Sequence, residues 1–320
     1  MTQRVLVTGG QGFIGRAIVA QYLELGRFEV LALTRQAPAA NPVAGATYLP
    51  SGDLASQTEW QPELNNIHAI VHLAARVQVM HDAAADPLAA FRAVNFEGTM
   101  NLARQAAAAG VKRFVFVSSV KVNGESTPIG RPYVEADVPK PQDAYGQSKF
   151  EAENGLRQLS ADTGMEVVII RPPLVYGPGV KANFAALMRA VQRGCPLPLG
   201  AVHNQRSLVA LDNLVDFIVT CTTHSQAANQ TFLVSDGHDL SITELVRSLS
   251  QAAGVPARLL PAPLWALQAG AMLLGKGDAV QRLCGNLQVD ISKARSFLDW
   301  VPPVSVQEGL RRAIGYEKSL

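Results

Sequence analysis

Short apolar, β-branched runs alternate along the chain with longer stretches of helical spacing. "RVLVTGG" (4–10) predicts a buried strand ending in glycines. "GFIGRAIVAQYLELG" (12–26) has the 3.6-residue period of an amphipathic helix and stops at Gly26, a C-cap signal. "FEVLALT" (28–34), "TYLPSGDL" (47–54) and "IHAIVHLAA" (67–75) predict three further strands. An Ala-rich helix over 86–110 comes next, then a strand in "VKRFVFVSS" (111–119), a helix opening at Tyr145 and a strand in "MEVVIIRPP" (165–173). Strands that are apolar throughout, rather than alternating, belong to a sheet covered on both faces. Strand–helix repetition makes that sheet parallel and doubly wound, an α/β Rossmann-type fold.

Beyond residue 171 the pattern loosens, with Pro and Gly clustered in "RGCPLPLGA" and "GVPARLLPAPLW". The expected organisation is a dinucleotide-binding domain over 1–171 and a smaller, irregular α+β lobe over 172–320. A segment near 206–235, with "TFLVSD" (231–236) as its candidate strand, is expected to rejoin the main sheet. Composition adds limits. Of 320 residues, 48% are hydrophobic and 17% charged, which suits a globular core and not disorder. A net charge of +2 without a dense basic run gives no nucleic-acid footprint. Three scattered cysteines form no CxxC, so neither a metal site nor a disulfide framework is expected, which fits a reducing cytoplasmic setting. The longest apolar stretch, "PLWALQAGAMLLG" (263–275), is shorter than the roughly 20 residues of a membrane span. It reads as a packed helix or as a surface that touches a membrane or partner.

The glycine loop carries the first chemistry. "TGGQGFIGRAI" sets Gly9, Gly12 and Gly15 between the first strand and first helix, where the backbone can approach a pyrophosphate at a helix N-terminus. An acid at the end of the second strand would bind the ribose 2′-hydroxyl of NAD. Here the strand ends "LTRQ", and Arg35 suits a 2′-phosphate. NADP(H) is therefore favoured over NAD(H). Asp53, after the third strand, is placed to accept from an adenine amino group.

The second piece is a triad. Ser118 and Ser119 emerge at the C-terminal end of the fifth strand, the edge where open α/β sheets hold ligands. Tyr145 and Lys149, four apart, share a helix face. Hydride transfer at an alcohol or ketone carbon needs a matching proton transfer at its oxygen. A phenol with an ammonium nearby, and so a lowered pKa, can provide it. Ser119 would hydrogen-bond the substrate oxygen, and Lys149 the nicotinamide ribose. Asn95 stands near that ribose or steadies the site.

"TGGQGFIG", "HLAA", "VNFEGT", "VSSVKVNG", "YGQSKFEAE" and "RPPLVYGPG", in this order, resemble the extended short-chain dehydrogenase/reductases. The resemblance is to the UDP-glucose 4-epimerase-like epimerase/dehydratase group and extends to "LDWVPPVSVQEGL". It implies Ser119, Tyr145 and Lys149 as catalytic. It implies Gly9, Gly12, Phe13, Ile14 and Gly15 at the pyrophosphate, Asp53 and Leu54 at the adenine, and Leu73, Ala74, Ala75, Asn95 and Pro172 along the cofactor. It further implies Asn183, Arg206 and Arg282 at a nucleotide diphosphate. A homodimer built on the 86–110 and Tyr145 helices, with a UDP-sugar as substrate, is expected on the same basis. Asn123 and Leu174 depart from the pattern of many relatives. "SSVKVNGE" resembles a branch that reduces UDP-4-keto-6-deoxy-HexNAc sugars for surface polysaccharide. With Arg35, this makes C4 reduction the favoured expectation and UDP-glucose or UDP-GlcNAc 4-epimerisation the alternative. A dehydratase would need an Asp–Glu pair where Val120 and Lys121 stand. A dinucleotide sensor without turnover would commonly lack the Tyr or Lys that this chain keeps.

Overall fold

The computed structural model describes residues 3–35, 42–77, 86–273 and 277–317; within helices near 270–282 and at 317, some side chains lie outside that description. A seven-stranded parallel sheet forms the centre. Its strands are β1 (Gln3–Thr8), β2 (Phe28–Thr34), β3 (Thr47–Pro50), β4 (Ala69–His72), β5 (Arg113–Val117), β6 (Glu166–Arg171) and, much later, β9 (Thr231–Leu233), in the order β3-β2-β1-β4-β5-β6-β9. The order reverses beside β1, between β1 and β4, so β1 and β4 open a crevice at their C-terminal ends. β4 and β5 are buried along their whole length, because helices cover both faces. α1 (Phe13–Glu24) covers one face; α3 (Thr99–Ala108) and α4 (Ala144–Thr163) cover the other.

The Ala-rich segment expected as one helix is three elements. α2 (Pro87–Arg92), capped by Asp86, runs into a π-helical turn over Ala93–Gly98 and then into α3. A π-turn inserts an extra residue into the helix and so rotates the turns C-terminal to it. Its effect here is to bury Asn95, at 1% exposure. Nothing in the apolar spacing of an Ala-rich run encodes that insertion.

The chain leaves the sheet after β6. β7 (Leu174–Tyr176) pairs in parallel with β8 (Leu208–Ala210), with α5 (Ala182–Gln192) between them. α6 (Leu211–Thr223) then returns to the sheet domain. Tyr22 of α1 bonds Thr222 at 2.6 Å, and Arg113 of β5 donates to the carbonyls of Cys221, Thr222 and His224. β9, within "TFLVSD", closes the sheet against β6. A second core gathers α5, α7 (Ile242–Ala253) and α11 (Val306–Glu317) around Phe184, Met188, Leu245, Leu249 and Leu310. α8 (Leu264–Leu273), α9 (Gly277–Cys284) and α10 (Ser292–Leu298) complete this half.

Candidate active site

The glycine loop is shaped by contacts that a side chain would break. Gly9 has φ +67°, and a Cβ there would lie 3.1 Å from the Ala74 backbone nitrogen. A Cβ at Gly15 would drive into the Gly9 carbonyl. The loop thus packs backbone to backbone against the end of β4. Gly12 N-caps α1 with no side-chain cap. The amides of Phe13, Ile14 and Gly15 in the first turn therefore face the crevice mouth, where a helix N-terminus binds phosphate. These residues fit a dinucleotide pyrophosphate.

The β4 exit is held by a buried relay. Thr8 Oγ1 accepts from the amides of Leu73 (3.1 Å) and Ala74 (3.0 Å) and lies 2.9 Å from His72 Nδ1. With its lone pairs taken, the Thr8 hydroxyl donates to Nδ1, and His72 Nε2–H donates to Thr99 Oγ1 at 3.0 Å. Burial, aided by Lys149, pushes the His72 imidazole down to about 3, so it is neutral. Leu73, Ala74 and Ala75 are half-buried along this edge. Asn95 Oδ1 accepts from the Arg76 amide (2.8 Å), and its Nδ2 donates to the Arg76 carbonyl and to Ser148 Oγ, each at 3.0 Å. Asn95 thus ties the β4 exit to the Tyr145 helix.

Tyr145 lies in the first turn of α4, whose N-cap Asp143 accepts from Gly146 N at 2.7 Å. Ser119, extended two residues after β5, sets its hydroxyl beside the Tyr145 phenol, where it opposes the rise of the phenol pKa. Lys149, 2% exposed, donates from Nζ to the Val117 carbonyl at 2.9 Å and lies 4.4 Å above the Phe116 ring. The three expected catalytic residues therefore do meet at the strand edge. Their electrostatics differ from the expectation. Burial pushes the Tyr145 phenol up to about 12, with Asp143 adding to it and Ser119 opposing it. Burial likewise pulls the Lys149 ammonium down to about 7, against the attraction of Glu153. Desolvation disfavours both charged forms and outweighs the pairing that would lower the phenol.

Beneath the triad lies a network that no sequence motif announced. Glu153, fully buried, accepts from Ser118 Oγ (2.6 Å) and takes a two-pronged bond from Arg171 (2.9 and 2.6 Å). Arg171 also donates to Asn123 Oδ1 at 3.0 Å. Glu153 falls four residues after Lys149, on the same face, and this spacing was the available signal. Asn123, which departs from the pattern of many relatives, is a buried partner of this network. Lys121 pairs with Asp143 and with Glu125, the first carboxylate after Ser119 in the chain.

The outer residues are more scattered. Arg35 stands exposed just past β2, Asp53 is exposed after β3, and Leu54 lies half-buried against Gly98. Pro172 is buried, and its carbonyl accepts from Val120 N at 3.0 Å. In the second half, Asn183 is exposed in the first turn of α5. Arg206 Nη1 donates to the Gly285 carbonyl at 3.0 Å, and burial pulls its guanidinium pKa down. Arg282 lies on α9, close in sequence to Gly285, but its side chain lies outside the described residues. Among the described residues no cluster could hold a metal ion.

Comparison with known proteins agrees with this geometry. Residues 5–235 match the model of the NAD dependent epimerase/dehydratase family. A UDP-glucose 4-epimerase of Vibrio cholerae is 49% identical over 98% of this chain and 94% of its own length. An Escherichia coli O157:H7 N-acetyl-alpha-D-glucosaminyl-diphospho-ditrans,octacis-undecaprenol 4-epimerase is 27% identical over 99% and 96%. The crystal structure of a Thermotoga maritima UDP-glucose 4-epimerase with UDP-glucose shares the fold at a TM-score of 0.79, with 24% identity over 99% of both chains. Triad, glycine loop and family model together establish that the chain belongs to the NAD-dependent epimerase/dehydratase family, whose extended short-chain dehydrogenase/reductase architecture it has.

Proposed function

We propose that this protein inverts C4 of a UDP-hexose, UDP-glucose or UDP-GlcNAc, with NAD as resident cofactor. The observation that carries this reading is the convergence of Ser119, Tyr145 and Lys149 at the strand edge, beside the glycine loop, in a chain 49% identical to a UDP-glucose 4-epimerase. The dinucleotide would lie along Gly9–Gly15 and the β4 and β5 ends, with Leu73, Ala74, Ala75 and Pro172 beside it. When bound, the nicotinamide supplies hydride acceptance from C4 and its return. Tyr145 takes the C4 hydroxyl proton as C4 is oxidised and gives it back as the 4-keto sugar is reduced on its other face. Ser119 fixes that oxygen. The phenol is protonated in the free protein, so positive charge must come to it before it acts as a base; Lys149, one turn along, is the chain's own source. Arg206, with Arg282 and Asn183, would hold the UDP diphosphate.

These relatives favour epimerisation over the 4-keto-sugar reduction expected from sequence. One observation keeps the reductase as a second reading: the β2 end carries exposed Arg35 rather than an acid, which suits NADP. We also read the protein as a cytoplasmic homodimer paired through the 86–110 helical segment and α4, where Arg92, Phe96, Glu151 and Gly155 line a surface depression. A monomeric mass by light scattering overturns the dimer. For the reaction, the protein is purified without added cofactor, denatured, and the released nicotinamide identified. Near-stoichiometric NAD supports the epimerase. An empty protein that prefers NADPH supports the reductase.

A further inference from the structure

α8 is apolar around most of its circumference, yet it is not buried. Leu264, Trp265 and Met272 fall within about 100° of one another on the helical wheel. Trp265 is 72% and Met272 73% exposed, and Leu260, just before the helix, is 53% exposed. Leu267, about 140–160° round the helix from Met272 and Trp265, packs against the second core. A tryptophan and a methionine standing outward from a helix whose inner side is docked are not core residues left over. They form an exposed apolar face, interrupted by the exposed Gln268.

The 189–200 and 258–273 segments beside this face carry charge of one sign. The Leu197 amide donates to the Arg258 carbonyl and the Leu260 amide to the Leu197 carbonyl, each at 2.8 Å, which brings the chain just after α5 beside the start of α8. Arg258 reaches over Gly194 there, and Arg189 and Arg193 are exposed on and after α5. No Asp or Glu occurs anywhere in 167–211 or in 245–277. The contributing segments thus carry arginines and no acid, although acids and bases nearly balance over the whole chain. A protein-facing apolar patch has no need of such one-sided charge. An anionic lipid surface does: Arg side chains meet headgroups while Trp and aliphatic groups enter the interface.

We propose that the α8 face, with Arg189, Arg193 and Arg258 at its rim, docks the protein on an anionic phospholipid bilayer. α8 lies on the surface and does not cross it; no helix among the described residues is long and apolar enough to span. Such docking would hold the sugar-nucleotide site beside membrane-bound enzymes or lipid-linked acceptors, whichever sugar is inverted.

The three tryptophans make the test direct. Trp60 and Trp300 are buried, so a lipid-induced change in indole emission reports Trp265. The full-length protein is titrated with vesicles of phosphatidylglycerol and phosphatidylcholine in equal amounts, and with phosphatidylcholine alone. The expected result is a blue shift and co-sedimentation with the anionic vesicles only, weakened by salt. Arg193→Glu/Arg258→Glu, which keeps Trp265, should lower vesicle affinity roughly tenfold or more. Met272→Glu should lose the shift while the far-ultraviolet spectrum stays unchanged. An emission unmoved by anionic vesicles, or binding equal in the Met272→Glu protein, overturns the proposal. So does a shift that tracks protein concentration without lipid, which would assign the face to a second copy.

Discussion

At the residue scale, the site is set by what burial does to charge. Tyr145 and Lys149 were legible because their spacing, four residues on one helix, is a sequence fact. Their pKa values were not, because desolvation depends on the elements that fold over them. His72 shows the same effect with a stability consequence. Its folded-state value of about 3 lies below the ordinary 6.5, so between those values the unfolded chain binds the extra proton. The contribution is whole above pH 6.5 and is lost as pH falls through this window, with a slope of at most about 1.4 kcal/mol per pH unit. Urea midpoints at about pH 7.5 and about pH 5 should separate more for the wild type than for His72→Gln. Glu153 makes a sharper case. Removing its carboxylate leaves Arg171, 2% exposed, without its bidentate partner. Glu153→Ala is expected to cost about 3–5 kcal/mol, read from chemical denaturation. The pair of Glu153 with Arg157, whose guanidinium reaches solvent, contributes little to that sum.

At the scale of elements, the strands of the main sheet and the Tyr145 helix match the apolar pattern closely. The Asn95 segment does not. An Ala-rich run carries little period to violate, so the π-turn that aims Asn95 inward has no signature in spacing. That turn places one amide where it bridges the β4 exit and α4. Asn95→Ala should leave the fold in place, since one uncharged side chain is lost. It should lower kcat by roughly 10²-fold through displacement of Tyr145, with a smaller effect on KM. A kcat unchanged in Asn95→Ala would show that the bridge does not position the phenol. The return of α6 and β9 to the sheet illustrates the opposite limit. "TFLVSD" announces a strand, but the bonds that seat α6, from Arg113 and Tyr22, join residues about a hundred or more positions apart. No local pattern contains them.

For the whole molecule, the sheet and the catalytic edge were readable because glycine loop, Ser-bearing strand end and Tyr–Lys helix each obey a short-range rule and the topology brings them together. The second half was read poorly. Its core is assembled from helices scattered between 182 and 317, and its polar residues lie in irregular chain. The choice between epimerase and reductase turns on that half and on the cofactor, which is why sequence and relatives weigh it differently. The most direct test is turnover without external cofactor. Purified protein is incubated with UDP-glucose, and separately with UDP-GlcNAc, and the sugar is analysed by NMR. The account predicts that one of them reaches equilibrium with its C4 epimer in the wild type, and that Tyr145→Phe slows this by roughly 10²–10⁴-fold. No C4 epimer from either sugar, with consumption of added NADPH only when a 4-keto sugar is supplied, would contradict it.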